Sequence, residues 1–475
     1  MTENVEIYRV SDRGEVDVDA EIAERCRREG ITMNKASNKS TVTNIVNNVL
    51  GSGLLVLPWA FARASALPGV FLTLLTGSLA VAALYFISCA SEERKIFTFH
   101  GLWQRAFPRN VTEDSQKPLI QHESSRSDVE NDAEGAFSSV ATDELRPSSN
   151  VFVQAITSSR VVNVALFFCT YSAVVSYGVL IGDFLTPVLR EWLLPSESAF
   201  VRLVSNRDFF VPLIVLTFCL PLALLRDLHA LRHASLLGVL SISYSALLVL
   251  VTAIQNGVHP SVDVFRLDGG LFVAISIMNV AYTMHYNAPR FYAELKNKSP
   301  AKFGSVSMQA MAACFLVYAS AALAGYLQFG NDVCGEVLSS LPNNSFSTVA
   351  RLLMAACLVC TFPLPFSAAR HNFDGLFFPK AVWTRKRHVI QTVSLVVSAV
   401  FFAVVFPQVE KILGFQGAIV GSLVVYVFPS LIYLRLVTQR PKLLTYLAYG
   451  MLVFGTVTGI LGTVVTAMVS PTACD

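Results

Sequence analysis

The chain has 475 residues, of which 53% are hydrophobic and only 15% charged, with a formal net charge of +3. That balance is unusual for a water-soluble domain, and so small a charge, spread over short loops, argues against a nucleic-acid-binding surface. Apolar runs such as 66–90 and 443–469 reach the roughly 20 residues a helix needs to cross about 30 Å of hydrocarbon, while the period-two alternation of a membrane β-barrel does not dominate. The expected fold class is therefore an all-α integral membrane protein.

In chain order, residues 1–40 read as a polar cytosolic tail. Arg25, Arg27 and Arg28 lack the apolar core of a signal peptide behind them. Charges, prolines and polar clusters then divide the chain into spans near 41–64, 67–91, 160–189, 209–225, 233–256, 269–292, 304–328, 348–368, 388–406, 410–434 and 443–469, eleven in all. Between the second and third, residues 97–107 carry aromatics at helical spacing and are expected to lie flat at the membrane surface. Residues 108–157, rich in Ser, Glu, Asp and Asn, read as a disordered cytosolic insertion, either a regulatory segment or a solvated spacer. With the N-terminus inside, the cytosolic loops receive Arg226, Arg232, Lys296, Lys298, Lys302, Lys380, Arg385, Lys386, Arg387, Arg435, Arg440 and Lys442. The opposite face receives far fewer, so the C-terminus is expected outside or in an organelle lumen, leaving plasma membrane and acidic organelle both open.

Five of the nine cysteines, Cys169, Cys219, Cys314, Cys357 and Cys360, lie inside apolar runs and read as small core residues, and no metal-ligand spacing occurs. Cys334 and Cys474 share the expected outer face, but nothing in the sequence brings them within disulfide reach. Asn343 heads a glycosylation sequon on the outer side, whereas those at Asn38, Asn110 and Asn297 fall on the cytosolic face.

Helical backbone breaks inside a membrane only where the freed groups meet a polar cavity or other protein groups. The first span reads NNVLGSGLLVLP from Asn47 to Pro58, and an unwound turn is expected at Gly51, Ser52 and Gly53. Close packing of small residues would also account for these glycines. The sixth span gathers Asn279, Tyr282, Thr283, His285 and Asn287 ahead of Pro289, which predicts a second break. His285 suits either a packing hydrogen bond or a contact with substrate or a proton. Two breaks at equivalent positions fit two inverted five-helix repeats, 41–256 and 269–434, followed by an extra helix at 443–469. Half-helix N-termini can donate N–H groups to a carboxylate while half-helix carbonyls hold a cation or an ammonium, so a zwitterionic amino acid would satisfy both. The expected substrate-binding residues are Gly51, Ser52, Gly53, Tyr282, Thr283, His285 and Asn287.

The first-span motif, together with SYGVLIGD (Ser176–Asp183), HYNAPRFYAELK (His285–Lys296) and GYLQFG (Gly325–Gly330), resembles the amino acid/auxin permease family over about residues 40–469. The resemblance implies a leucine-transporter-type fold, with substrate held between the first and sixth helices and gated by a bundle rocking against a scaffold. It also implies an amino acid, most readily a neutral one, as the substrate, with Na+ or H+ as coupling ion. In the sodium-coupled neutral amino acid transporters of this family, an Asn before the Gly-Ser-Gly and a Thr in helix eight supply sodium-site oxygens; Asn47 and Thr361 occupy the matching positions. Either residue could equally be an ordinary helix–helix hydrogen bonder. Pro365 and Ser367 depart from the family pattern, and Pro289 comes one residue early relative to His285. The expected function is secondary active transport of amino acids by alternating access, with no cofactor. The alternative is an amino acid sensor signalling through residues 1–40 and 108–157. A channel lacks a pore-loop signature, and an enzyme lacks a nucleophile or metal constellation. Protein partners are not legible.

Overall fold

A computed structural model describes residues 33–108, 159–193, 206–225, 232–378 and 384–470. The tail before residue 33, most of the expected insertion, and Cys474 lie outside the described residues. Regular structure within them is helical, apart from one isolated bridge between Ala36 and Leu295.

The first expected span is two helices, α1 (Asn38–Val49) and α2 (Leu57–Ala64), joined by a 3-10 turn over Ser52–Val56. They are followed by α3 (Ala66–Arg94), α4 (Phe99–Ala106) and α5 (Ser159–Leu193). The expected fourth span is interrupted: α6 (Arg207–Ile214) passes through a π turn into the short α7 (Leu220–Ala223). After α8 (Arg232–Asn256), the sixth span breaks into α9 (Gly270–Ala281) and α10 (Ala288–Glu294), with a 3-10 turn at His285–Asn287 between them. The remainder comprises α11 (Pro300–Phe329), α12 (Val337–Ser340), α13 (Ser345–Thr361), α14 (Pro363–Phe377), α15 (Arg385–Val405), α16 (Val409–Phe415), α17 (Phe428–Leu436) and α18 (Lys442–Met468). Two π turns, Gln416–Gly421 and Leu423–Val427, connect α16 to α17.

Among the described residues eight helices are long and apolar enough to cross a membrane, or nine if α1 and the segment 53–64, bent by 52°, form one broken span. The segment 207–223 runs on through its π turn but is too short to be among them, and the break in 269–292 leaves no single helix of sufficient length.

An apolar helix is either central or lipid-facing, and burial separates the two cases. In α9, Val273 to Asn279 are buried without a gap, and the helix packs against α2, α3, α16, α18 and the first π turn. It is the axis of the fold. By contrast α8 leaves Leu247 60% and Ile254 84% exposed, and α18 leaves Leu443 78% exposed, as suits surfaces solvated by lipid.

Residues 97–107 contain the expected helix, but its placement differs from the expectation. Phe99, Leu102, Trp103 and Ala106 are buried, and the Trp103 ring stands 4.7 Å from that of Phe428 at the start of α17. The apolar stripe is covered by protein and is not laid on lipid.

Candidate functional site

Both expected breaks are present, and proline placement explains where the chain resumes. Pro58 and Pro289 each occupy the first turn of the second half-helix, where a missing N–H costs nothing. Upstream, α1 ends at Leu50 in extended conformation and Gly51 is also extended (φ −144°, ψ −165°). The N–H of Leu54 returns to the carbonyl of Gly51 at 3.1 Å, so the turn over Ser52–Val56 is tighter than an α-helix. In the sixth span α9 ends at Tyr282, and Met284 has left helical geometry (φ −143°, ψ 5°).

The two breaks meet. A side chain beginning at Gly53 would have its first carbon 3.4 Å from Ala281 Cα, so the unwound turn of the first span lies on the last turn of α9. Tyr318 of α11 ties them together: its hydroxyl lies 2.6 Å from the carbonyl oxygen of Val49 and 3.0 Å from that of Ala281. These are the final residues of the two half-helices, whose carbonyls have no intrahelical partner and carry the negative end of the helix dipole. The Tyr318 ring also meets that of Tyr282 edge-on, with centroids 5.3 Å apart.

The predicted site residues divide into groups. Tyr282 is 1% exposed, its ring lies against Gly77 of α3, and its hydroxyl has no hydrogen-bond partner among the described residues. Thr283 turns its hydroxyl back to the carbonyl of Asn279. His285 is fully buried, with Nε2 at 3.3 Å from the carbonyl of Ala80 and Nδ1 unpartnered. Asn287 donates to Asn48 Oδ1 at 3.4 Å, joining the turn after the sixth-span break to the end of α1. Ser52 lies in the 3-10 turn between Gly51 and Gly53.

Asn47 and Thr361 are not joined by a hydrogen bond among the described residues. Asn47 is exposed on α1, and the Thr361 hydroxyl donates to the carbonyl of Cys357 at 2.7 Å within its own helix. Asn343, expected on the outer side, is exposed, with its Oδ1 accepting from Arg351. Cys334 is disulfide-bonded. Asp183, which ends a sequence motif, is held by Arg207 at 3.0 Å.

Sequence reasoning missed Tyr318 and the polar knot behind α9. There Asn279 Oδ1 accepts from the Tyr426 hydroxyl at 2.6 Å, and its Nδ2 donates to Ser422 Oγ at 3.3 Å and to the carbonyl of Gly417 at 3.4 Å. The π turns supply this carbonyl, because each inserts a residue that shifts the backbone register against α9.

A family model described as "Transmembrane amino acid transporter protein" matches residues 34–115 and 125–470. Vacuolar amino acid transporter 6 of Saccharomyces cerevisiae is 23% identical over 72% of this chain and 66% of its own length. Sodium-coupled neutral amino acid transporter 7 of Xenopus laevis is 24% identical over 59% of this chain and 65% of its own length. Amino acid transporter AVT6D of Arabidopsis thaliana is 25% identical over 90% of this chain and 92% of its own. The match thus spans just under two thirds of the first two relatives. Among solved structures, the inward-facing conformation of Mhp1 superposes with a TM-score of 0.52 at 10% identity, covering 92% of this chain and 90% of that one, and shares the leucine-transporter-like fold. With a family model covering most of its length, the chain belongs to the transmembrane amino acid transporter family.

Proposed function

We propose that this protein is a secondary active transporter that moves neutral amino acids by alternating access, driven by a sodium or proton gradient. The observation that carries this reading is the meeting of two broken helices under one hydroxyl, Tyr318, beside the unwound turn at Gly51 and Gly53. N–H donors facing a carboxylate and helix-end carbonyls facing an ammonium are what a zwitterion requires. Gly53, Ala281, Tyr282 and Tyr318 carry no charge, which favours an uncharged substrate side chain. Further support comes from relatives named as vacuolar and as sodium-coupled amino acid transporters. In this reading 41–256 and 269–434 are the two inverted repeats, the substrate meets Gly51, Ser52, Gly53, Tyr282, Thr283, His285 and Asn287, and Asn47 and Thr361 offer oxygens to the ion.

The test is uptake of a panel of labelled amino acids into proteoliposomes with sodium and proton gradients imposed separately. Accumulation above equilibrium under one gradient establishes coupled transport and identifies the ion. Saturable binding without accumulation under either gradient would refute the transport reading in favour of a sensor.

A further inference from the structure

A cavity of approximately 1150 Å³ lies away from the broken helices, between the C-terminal half of α5, the loop 334–343 and the N-terminus of α16. The Lys/Arg distribution puts this end of the molecule outside or in the lumen. Four carboxyl groups line it: Asp183 and Glu191 of α5, Glu336 and Glu410.

Their surroundings differ. Asp183 is answered by Arg207, whose Nη2 and Nε stand 3.0 and 3.1 Å from its Oδ1. Glu336 is only 2% exposed; its Oε2 accepts the N–H of Leu338 at 2.9 Å, but its buried Oε1 has no hydrogen-bond partner among the described residues. Arg351, also 2% exposed, is close enough to feel the charge of Glu336, yet it donates to the carbonyls of Leu338 and Leu341 and to Asn343 Oδ1. Glu410, 4% exposed, is pressed against Gly335, the residue before Glu336, since a methyl group at Gly335 would overlap its Oε2. Arg190 and Glu191 sit at the exposed rim of the cavity, while Arg63 and Lys411 act on Glu410 from behind.

A buried carboxylate with an oxygen unanswered is costly, and a proton removes that cost. Burial pushes the Glu336 carboxyl up to about 7, helped by the nearby Asp183 charge and opposed by the polar groups of Ser339 and the N–H of Leu338. A metal ion is the poorer occupant, because no group of three His, Cys, Asp or Glu side chains among the described residues is arranged to hold one.

We propose that Glu336 is a proton-binding site of this outer vestibule, separate from the broken-helix site, and that its protonation seats the 334–341 loop against the end of α16. When Glu336 ionises beside Asp183 and Glu410, the loop loses its footing. Only the consequence rests on the transport reading: the vestibule would then close more readily on an acidic outer or lumenal side.

The experiment is thermal unfolding of the full chain in lipid nanodiscs from about pH 5 to about pH 8. A carboxyl whose pKa is raised on folding contributes stability that is complete below its unfolded value and lost as pH rises through its folded value. Wild-type protein should therefore melt lower as pH rises towards about 7. Glu336→Gln should lose that component and melt higher than wild type at about pH 8. Asp183→Asn should keep the component but move its midpoint to lower pH. An unaltered pH dependence in E336Q, or an unmoved midpoint in D183N, would overturn the proposal. So would recovery of wild-type stability at high pH by sodium or calcium chloride, which would make the ligand a metal cation. Because unfolding is read and not flux, absence of transport would refute the transport reading and leave this site standing.

Discussion

Gly417 and Ser276 are in backbone-to-backbone contact: a methyl group at 417 would overlap the carbonyl oxygen of Ser276. Neither partner can move cheaply, because Ser276 sits in the middle of the buried stretch of α9 and Gly417 lies in a π turn. Gly417→Ala should therefore cost at least about 1–3 kcal/mol, the usual range for overpacking. Thermal unfolding in detergent should show a clear fall. Gly450→Ala, where a methyl group meets nothing within 4 Å, is the control and should melt like wild type. If the two variants melt alike, the contact is softer than described.

Tyr318→Phe removes one hydroxyl and leaves the ring against Tyr282. The net stability change should be small, about 0.5–1.5 kcal/mol, as for one ordinary hydrogen bond. The effect on function should be larger, because the ends of both half-helices lose their common anchor. Initial uptake rates should fall roughly tenfold, corresponding to about 1.4 kcal/mol, at unchanged protein yield. Wild-type rates would reduce Tyr318 to a packing residue.

What the sequence disclosed and what it withheld follow from distance along the chain. The breaks at 50–53 and 282–289 were legible because glycine and proline act on their own backbone. Tyr318 was not legible: its two acceptors lie 269 and 37 positions away, and fourteen tyrosines offer no way to choose one. The helix at 99–106 was legible from its spacing, but hydropathy cannot distinguish an apolar face covered by lipid from one covered by Phe428. The π turns were likewise hidden, since GAIVG within 416–421 reads as ordinary small-residue packing. No local signal marks Glu336, which is buried only in the folded chain.

The roles of Asn47 and Thr361 separate in a sodium titration. If each supplies an oxygen to the ion, Asn47→Ala and Thr361→Ala should each raise the sodium concentration for half-maximal uptake about tenfold, or about 1.4 kcal/mol. The apparent affinity for substrate at saturating sodium should stay near that of wild type. The Thr361 hydroxyl already satisfies itself on Cys357, so its loss should cost little stability and leave the ion readout clean. Unchanged sodium dependence in both variants would sink the ion-site assignment.

The Asp183–Arg207 pair predicts an inverted order of damage. Arg207 also reaches the carbonyls of Val179 and Ala403, and each partner's side chain is about one-fifth exposed. Removing Arg207 alone leaves the Asp183 carboxyl beside Glu336 and Glu410 with its counter-charge gone. Breaking a fully buried pair costs about 3–5 kcal/mol, and partial exposure should reduce this to about 1–3 kcal/mol. The double variant Asp183→Asn, Arg207→Ala removes the stranded charge as well, so it should melt higher than Arg207→Ala alone. Equal melting of the two would mean that the charge of Asp183 is already screened by water in the vestibule. The contribution of Arg207 would then reside in the carbonyls it caps.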